Sequence, residues 1–327
     1  SHLPKRNILY LKDPRIDFWE WHLHVFLVTY VAPFVIFLGT ILNGLTVVVL
    51  VRRKFGKPST RLLLISLALV DTAVLWTGIT FWLVEHYGLD LSVLSVESCP
   101  AYRFFTYFFQ QYASWNVMFL TLERFISVSY PIKARVICTR KWTCIALIAL
   151  LGFSFFLNLQ LLFIYKRFDY YNGYVCGLAL QDDDIYSQIF HWLDMATYCL
   201  IPFFVIVSCN CLILSKVIRS RNKRKKMQLS GRNKTSSDDT SAQMTSMTYM
   251  LTTVSVVFII LTSPNPISQI VYTLTEVGSW HQWVISVLVN TCANVCSSSN
   301  SAINFILYCV SGTQFRREVF KMFRGER

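Results

Sequence analysis

Seven long stretches of this chain are free, or almost free, of charge: Val25–Val51, Leu62–Val84, Phe104–Leu122, Trp142–Tyr165, Met195–Ser215, Met244–Thr275 and Trp283–Phe315. A helix rises about 1.5 Å per residue, so even Phe104–Leu122 reaches about 28 Å, close to the roughly 30 Å hydrocarbon layer of a bilayer. Asp71 is the one full charge inside any of them. Only 15% of the residues are charged and 54% are hydrophobic, whereas soluble domains carry about 25% charged residues. The fold class implied is an all-α membrane protein, a seven-transmembrane helix bundle spanning residues 22–311. A polar and aromatic lead-in occupies residues 1–21. From Gln314 to Phe323 aromatic and basic residues alternate at helical spacing, which predicts a short amphipathic eighth helix within 312–327 that lies on the membrane surface.

The net charge of +13 would suit a nucleic-acid binder, but its distribution argues otherwise. Of 31 Lys and Arg residues, 24 fall between stretches one and two, three and four, or five and six, or after stretch seven. The alternate segments hold 12 of the 18 acids. The positive-inside rule then places the amino terminus outside and the carboxyl terminus in the cytoplasm. Residues 216–243, with Lys223-Arg224-Lys225-Lys226, are read as a basic inward loop. Eight of the ten cysteines lie within stretches or on the inward side, where thiols stay reduced, which leaves Cys99 and Cys176 as the outward disulfide candidate. The chain does not open on methionine, so its natural start is expected to lie upstream.

Polar residues inside the stretches are costly in lipid and are expected to face other helices. Gln110, Gln111 and Asn116 mark the third stretch, and the seventh carries Asn290, Asn294, Ser297, Asn300, Ser301 and Asn304. An acid at mid-membrane, Asp71, is either a functional group or a satisfied structural one. Glu123 and Arg124 could be ordinary interfacial charges, which snorkel to water cheaply. Pro202, Pro264 and Pro266 each remove a backbone donor and permit bends.

Taken together, Asn43, Asp71, Cys99, Arg124, Pro202, Pro264, Asn304 and Tyr308 resemble the landmarks of the rhodopsin-like G-protein-coupled receptors over essentially the whole chain. Arg124 falls 25 residues after Cys99 and Pro131 seven further on, the offsets of that family. There are departures: Glu123-Arg124-Phe125 stands for Asp-Arg-Tyr, Thr262 replaces the tryptophan of helix six, and Phe305 replaces the proline of Asn-Pro-x-x-Tyr. Asn210 sits where helix five usually has a tyrosine. No acid occurs from Ala242 to Phe258 to hold Arg124. Thr106 stands where amine receptors have aspartate, and the closing run resembles peptide receptors, in particular FMRFamide-type neuropeptide receptors.

The resemblance implies a plasma-membrane receptor that promotes nucleotide exchange on a heterotrimeric G protein, through Glu123, Arg124, Phe125, Pro131, Phe258, Pro264, Asn304 and Tyr308. The C-terminal helix of a Gα subunit, arrestin, receptor kinases and membrane lipids are the partners implied, with no nucleic acid. For an Arg-Phe-amide peptide the ligand site is expected to comprise Asp194, with Glu276 second, together with Thr106, Tyr107, Gln110, Phe81, Trp82, Glu85, His191, Gln269, Tyr272, Asn290 and Asn294. A sodium ion near Asp71, Asn300, Ser301 and Asn304 is the only cofactor implied, with Ala113 in place of the usual serine. The alternatives are a receptor for a small aromatic molecule or a membrane transporter. An enzyme is disfavoured, since no phosphate loop, His-Glu-x-x-His or serine elbow is present, and His191 lacks a partner at ligand spacing.

Overall fold

The computed structural model describes residues 17–52, 57–170, 173–179, 189, 192–229, 237–274 and 278–324. Seven long helices follow one another in these residues: α1 (Trp19–Arg52), α2 (Pro58–Val84), α3 (Ser98–Ser129), α4 (Arg140–Ile164), α5 (Trp192–Arg219), α6 (Ser237–Thr262, resuming as Pro264–Leu274) and α7 (Trp280–Ser311). After Gly312 comes α8 (Thr313–Phe323). On length and hydropathy alone five of the seven qualify as membrane spans, and α3 and α7 do not. The reason lies in their inward faces, where Gln111, Asn116, Asn300, Ser301 and Asn304 are buried. Helices that face other helices on most sides can carry amides that lipid would reject.

Local chemistry sets the ends of the helices. Pro58 opens α2 at a position whose N–H would have no helical partner. Ser279 caps α7 by accepting from the Gln282 amide at 3.2 Å. Gly88, at φ +64°, ends the outward extension of α2 in the left-handed conformation glycine adopts cheaply. Two π-helical turns, Leu27–Val31 and Ala196–Leu200, immediately precede Pro33 and Pro202. Pro202 cannot donate to the carbonyl of Tyr198, and α3 supplies the missing bond: Ser114 Oγ donates to that carbonyl at 2.7 Å, and Trp115 Nε1 donates to the Thr197 carbonyl at 2.9 Å. The proline kink of α5 is thereby stitched to α3, the helix that also packs against α2, α4 and α6.

The apolar interior falls into layers. At mid-bundle Leu67, Val74, Tyr112, Val117, Ile206 and Phe258 join α2, α3, α5 and α6. Near the α8 end Leu50, Leu64, Leu120, Met250, Tyr308 and Phe315 pack together. A Cβ on Gly39 would stand 2.6 Å from Leu75 Cδ1 and 2.7 Å from Ala302 Cβ, so only glycine lets α1 approach α2 and α7 this closely.

Two elements differ from the sequence expectation. The basic segment read as a loop over 216–243 is helical to Leu229 and again from Ser237, because Lys, Arg and Gln are good helix formers once a helix is already nucleated. The seventh span, read to Phe315, ends at Ser311. The segment after α4 is a β-hairpin, β1 (Tyr165–Tyr170) antiparallel to β2 (Gly173–Leu178), with Arg167 opposite Cys176.

Candidate functional site

One end of the bundle is organised by the disulfide between Cys99, at the start of α3, and Cys176 of β2. It ties the hairpin to the outer end of α3. Cys99 is fully buried with Phe104, Leu161 and Tyr165, and Arg167 of β1 donates to the Val93 carbonyl at 3.1 Å while its guanidinium lies 4.1 Å over the Tyr174 ring. Beneath the hairpin, Tyr107 of α3 has Asp194 of α5, Arg103 and Tyr165 as its charged and polar neighbours. The guanidinium of Arg103 stands 5.3 Å from the Tyr165 ring centroid, and its Nε has no hydrogen-bond partner among the described residues.

The carboxylates at this end divide by what holds them. Glu20 accepts from His281 at 3.1 Å, and Asp90 accepts from both the amide and the hydroxyl of Ser92. The backbone amide of Glu97 and the Ser95 hydroxyl hold the Glu97 carboxyl below its usual range, at the exposed start of α3. Asp194 differs, because among the described residues no donor lies within hydrogen-bond distance of its half-buried carboxylate. The π-turn at Ala196–Leu200 separates it from Pro202; a widened turn retards the helical rotation and so resets the face on which every residue outward of it points.

The other expected ligand residues are placed as follows. Thr106 donates to the Tyr102 carbonyl of its own helix at 2.9 Å. Gln110 is half-buried on α3. Asn265 of α6 donates to Asn294 at 2.8 Å, and Asn294 in turn lies 3.4 Å from Asn290. Trp82 stands edge-on to Tyr87 on α2. His191 and Glu276 lie outside the described residues, as do the side chains of Phe81, Glu85, Gln269 and Tyr272.

Deeper in the bundle, Asn304 Nδ2 donates to Asp71 Oδ2 at 2.7 Å, and Asn43 Nδ2 donates to the Ser301 carbonyl at 3.0 Å. Asp71 is 1% exposed. Asn43 Oδ1 is buried with no hydrogen-bond partner among the described residues, an acceptor that calls for a cation or a donor. A single carboxylate with neutral oxygens from Asn43 and Ser301 fits a hard monovalent cation such as sodium, although Ala113 adds no oxygen from α3. Asn300 is buried on the same helix.

At the opposite end Arg124 pairs with the neighbouring Glu123 at 3.3 Å and donates to the Thr60 hydroxyl. Glu123 accepts from Ser59 at 2.8 Å and from Thr60 at 2.8 and 2.9 Å. Both charges are 6% exposed, so this is a buried hydrogen-bonded network rather than a pair of interfacial charges, with Arg124 Nε lacking a partner among the described residues. Burial of such a pair depends on these extra hydrogen bonds. The acid absent from α6 is thus replaced by hydroxyls of α2. Beside them, Lys216 Nζ stands 5.0 Å over Tyr130 and 5.7 Å over Phe125, with Pro131 opening the short helix Pro131–Ile137. Asn210 and Ser255 exchange hydrogen bonds at 2.9 and 3.2 Å between α5 and α6. Phe258 fills the mid-bundle core, Pro264 restarts α6 after the break at Ser263, and Tyr308 is buried against Phe315.

Residues 42–308 match the family model of the 7 transmembrane receptor (rhodopsin family). The chain belongs to this family. It is therefore a multi-pass plasma-membrane protein of a receptor family rather than an enzyme. It is 24% identical over 322 residues to the FMRFamide receptor of Drosophila melanogaster, an alignment covering 94% of this chain and 54% of that receptor. It is 25% identical to the sex peptide receptor of the same fly (90% and 72% covered) and 27% identical to neuromedin-U receptor 1 of Mus musculus (88% and 70% covered). The chain thus spans about half the length of the first of these relatives. Sequence reasoning missed Ser59, Thr60, Arg103 and Asn265. A Ser-Thr pair after proline reads as an ordinary helix start, and nothing in the sequence says that it meets a carboxylate 63 residues away.

Proposed function

We propose that the chain is a receptor for an extracellular peptide with a cationic side chain and an amidated aromatic end, and that it acts as a ligand-triggered exchange factor for a heterotrimeric G protein. The observation that carries this reading is Asp194, a carboxylate lodged beneath the disulfide-bound hairpin with no donor among the described residues. A desolvated guanidinium must meet a carboxylate, and the names of the FMRFamide and sex peptide receptors favour a peptide as its bearer. The charge distribution puts the disulfide end and the amino terminus outside.

A ligand that binds more tightly to the state with α6 displaced draws the bundle into that state. Displacement requires the Asn210–Ser255 bonds to break and Met250 to leave its seat against Gly312. Arg124, freed from Glu123 and Thr60, then lines a cleft for the C-terminal helix of Gα, and arrestin and receptor kinases meet the same face. The test is nucleotide exchange on purified G protein, with the chain reconstituted in bilayer discs and challenged with a library of amidated peptides. An Arg-Phe-amide member should raise the exchange rate at least tenfold. A transporter or an enzyme would leave exchange unchanged across the whole library.

Asp71→Asn keeps the side chain's shape and removes its charge. Basal exchange and the sodium dependence of agonist binding should both change, because the group bonded to Asn304 on α7 no longer attracts a cation. Identical basal and agonist-driven rates with and without sodium would assign Asp71 a purely structural place.

A further inference from the structure

Side-chain contacts hold the outer turns of α1 to outer α7, at the same end of the bundle as the disulfide. Phe18 lies parallel to the His281 ring at 4.8 Å between centroids, and Trp21 stacks on Trp283 at 6.1 Å. His24 Nδ1 meets Thr291 Oγ1 at 2.8 Å, and His281 Nε2 meets Glu20 Oε1 at 3.1 Å. Inward of these contacts α1 passes through the π-turn Leu27–Val31 and then Pro33, two causes of helix bending, so the outer turns form an arm with a pivot beneath it.

A proton acts on these contacts unequally. Trp21 and Trp283 carry no charge. Thr291 spends its hydroxyl hydrogen on the Val287 carbonyl at 2.9 Å, so His24 Nδ1 is the donor to that oxygen and keeps its bond whether or not the ring is charged. Glu20 is 8% exposed, and its second oxygen, Oε2, has no hydrogen-bond partner among the described residues. A neutral His281 gives this carboxylate one hydrogen bond, whereas an imidazolium gives it the bond and the opposite charge that a buried carboxylate lacks. The same charge gains from the parallel face of Phe18. The His281 side chain is 50% exposed, so protons reach it from the medium. Around the pair, Asp17 is exposed before α1 and His22 is exposed on its far face, while Gly278–Asn290 holds no titratable side chain besides His281. The side chains of Glu85 and His86 on α2, Tyr272 on α6 and Glu276 lie outside the described residues.

We propose that this contact is a proton-sensitive latch, in which protonation of His281 closes the outer arm of α1 on α7. The latch sets how firmly α7 is held in the half that carries Asn290 and Asn294, and it works independently of Asp194 and of the ligand's identity.

The test is hydrogen–deuterium exchange of the full chain in bilayer discs without peptide, read in the amides of Trp19–Phe26 and corrected for intrinsic chemical exchange. From about pH 7.5 to about pH 5.5, a range in which histidine ordinarily titrates and carboxylates stay charged, exchange of the arm should slow roughly threefold. His281→Gln keeps a donor for Glu20 and cannot be protonated, so its exchange should not change with pH. Glu20→Gln should be equally flat; should that variant fail to fold, His281→Gln decides alone. His22→Gln, on the exposed far face, should keep the full response. A flat wild-type profile, or an undiminished response in His281→Gln, would overturn the latch. Loss of the response in His24→Gln with retention in His281→Gln would assign the proton to His24 and overturn it as well.

Discussion

Asp194→Asn should lower the potency of an arginine-containing amidated peptide by roughly 2 to 5 kcal/mol, the usual cost of truncating one partner of a buried charge pair. The same substitution should cost far less for an analogue carrying citrulline, which keeps the size and planar shape of arginine but replaces one cationic nitrogen donor with a neutral carbonyl oxygen. Dose–response curves for both peptides on both receptors form a thermodynamic cycle, and the coupling between the two changes isolates the charge–charge contact. Equal losses for the two peptides would show that the carboxylate does not read the guanidinium. Of the described acids near the mouth, Glu20, Asp90 and Glu97 already accept hydrogen bonds and Asp17 and Asp169 are exposed to water, so none of them offers a ligand cation a comparable half-buried partner.

The second large effect is expected from Cys176→Ser. The bond closes a separation of 77 residues, for which the loop-entropy model gives roughly 4.5 kcal/mol. That figure applies to a freely unfolded chain. Here α3 and α4 lie inside the loop and are held by the bilayer even when tertiary packing is lost, so the stability of the bundle should fall by less. The loss should be concentrated in the hairpin, whose other described ties to the bundle include the Arg167–Val93 and Ala179–Ile164 hydrogen bonds. Peptide affinity should therefore drop more than tenfold while membrane insertion and surface abundance change less than twofold. Peptide mapping under non-reducing conditions reports the bond itself, and two free thiols in binding-competent protein would remove the basis of this expectation.

Much of the architecture was readable from residue order alone. Uncharged length sets the spans, because no bilayer helix can be shorter than the hydrocarbon it crosses. The polar residues of α3 and α7 announced helices turned toward protein, and Cys99 and Cys176 stood out as the disulfide candidate by compartment. These inferences need only local composition and the properties of a bilayer.

What the sequence could not supply is the rotation of one helix against another. The π-turn before Pro202 resets the facing of Asp194 by a local change in winding that no periodicity records. Glu123 and Arg124 read as boundary charges until α2 brings Ser59 and Thr60 against them, contacts more than 60 residues apart in the chain. Lys223 to Lys226 read as a loop by charge, yet they continue a helix that α5 had already nucleated. On α8 the alternation of aromatic and basic residues fits either face inward. Only the burial of Phe315 beside Tyr308, where Gly312 leaves room for Met250, settles which face the arginines present to the membrane boundary. Composition determines that a segment is a membrane helix, whereas its neighbours, chosen by packing over long sequence separations, decide what each of its faces touches.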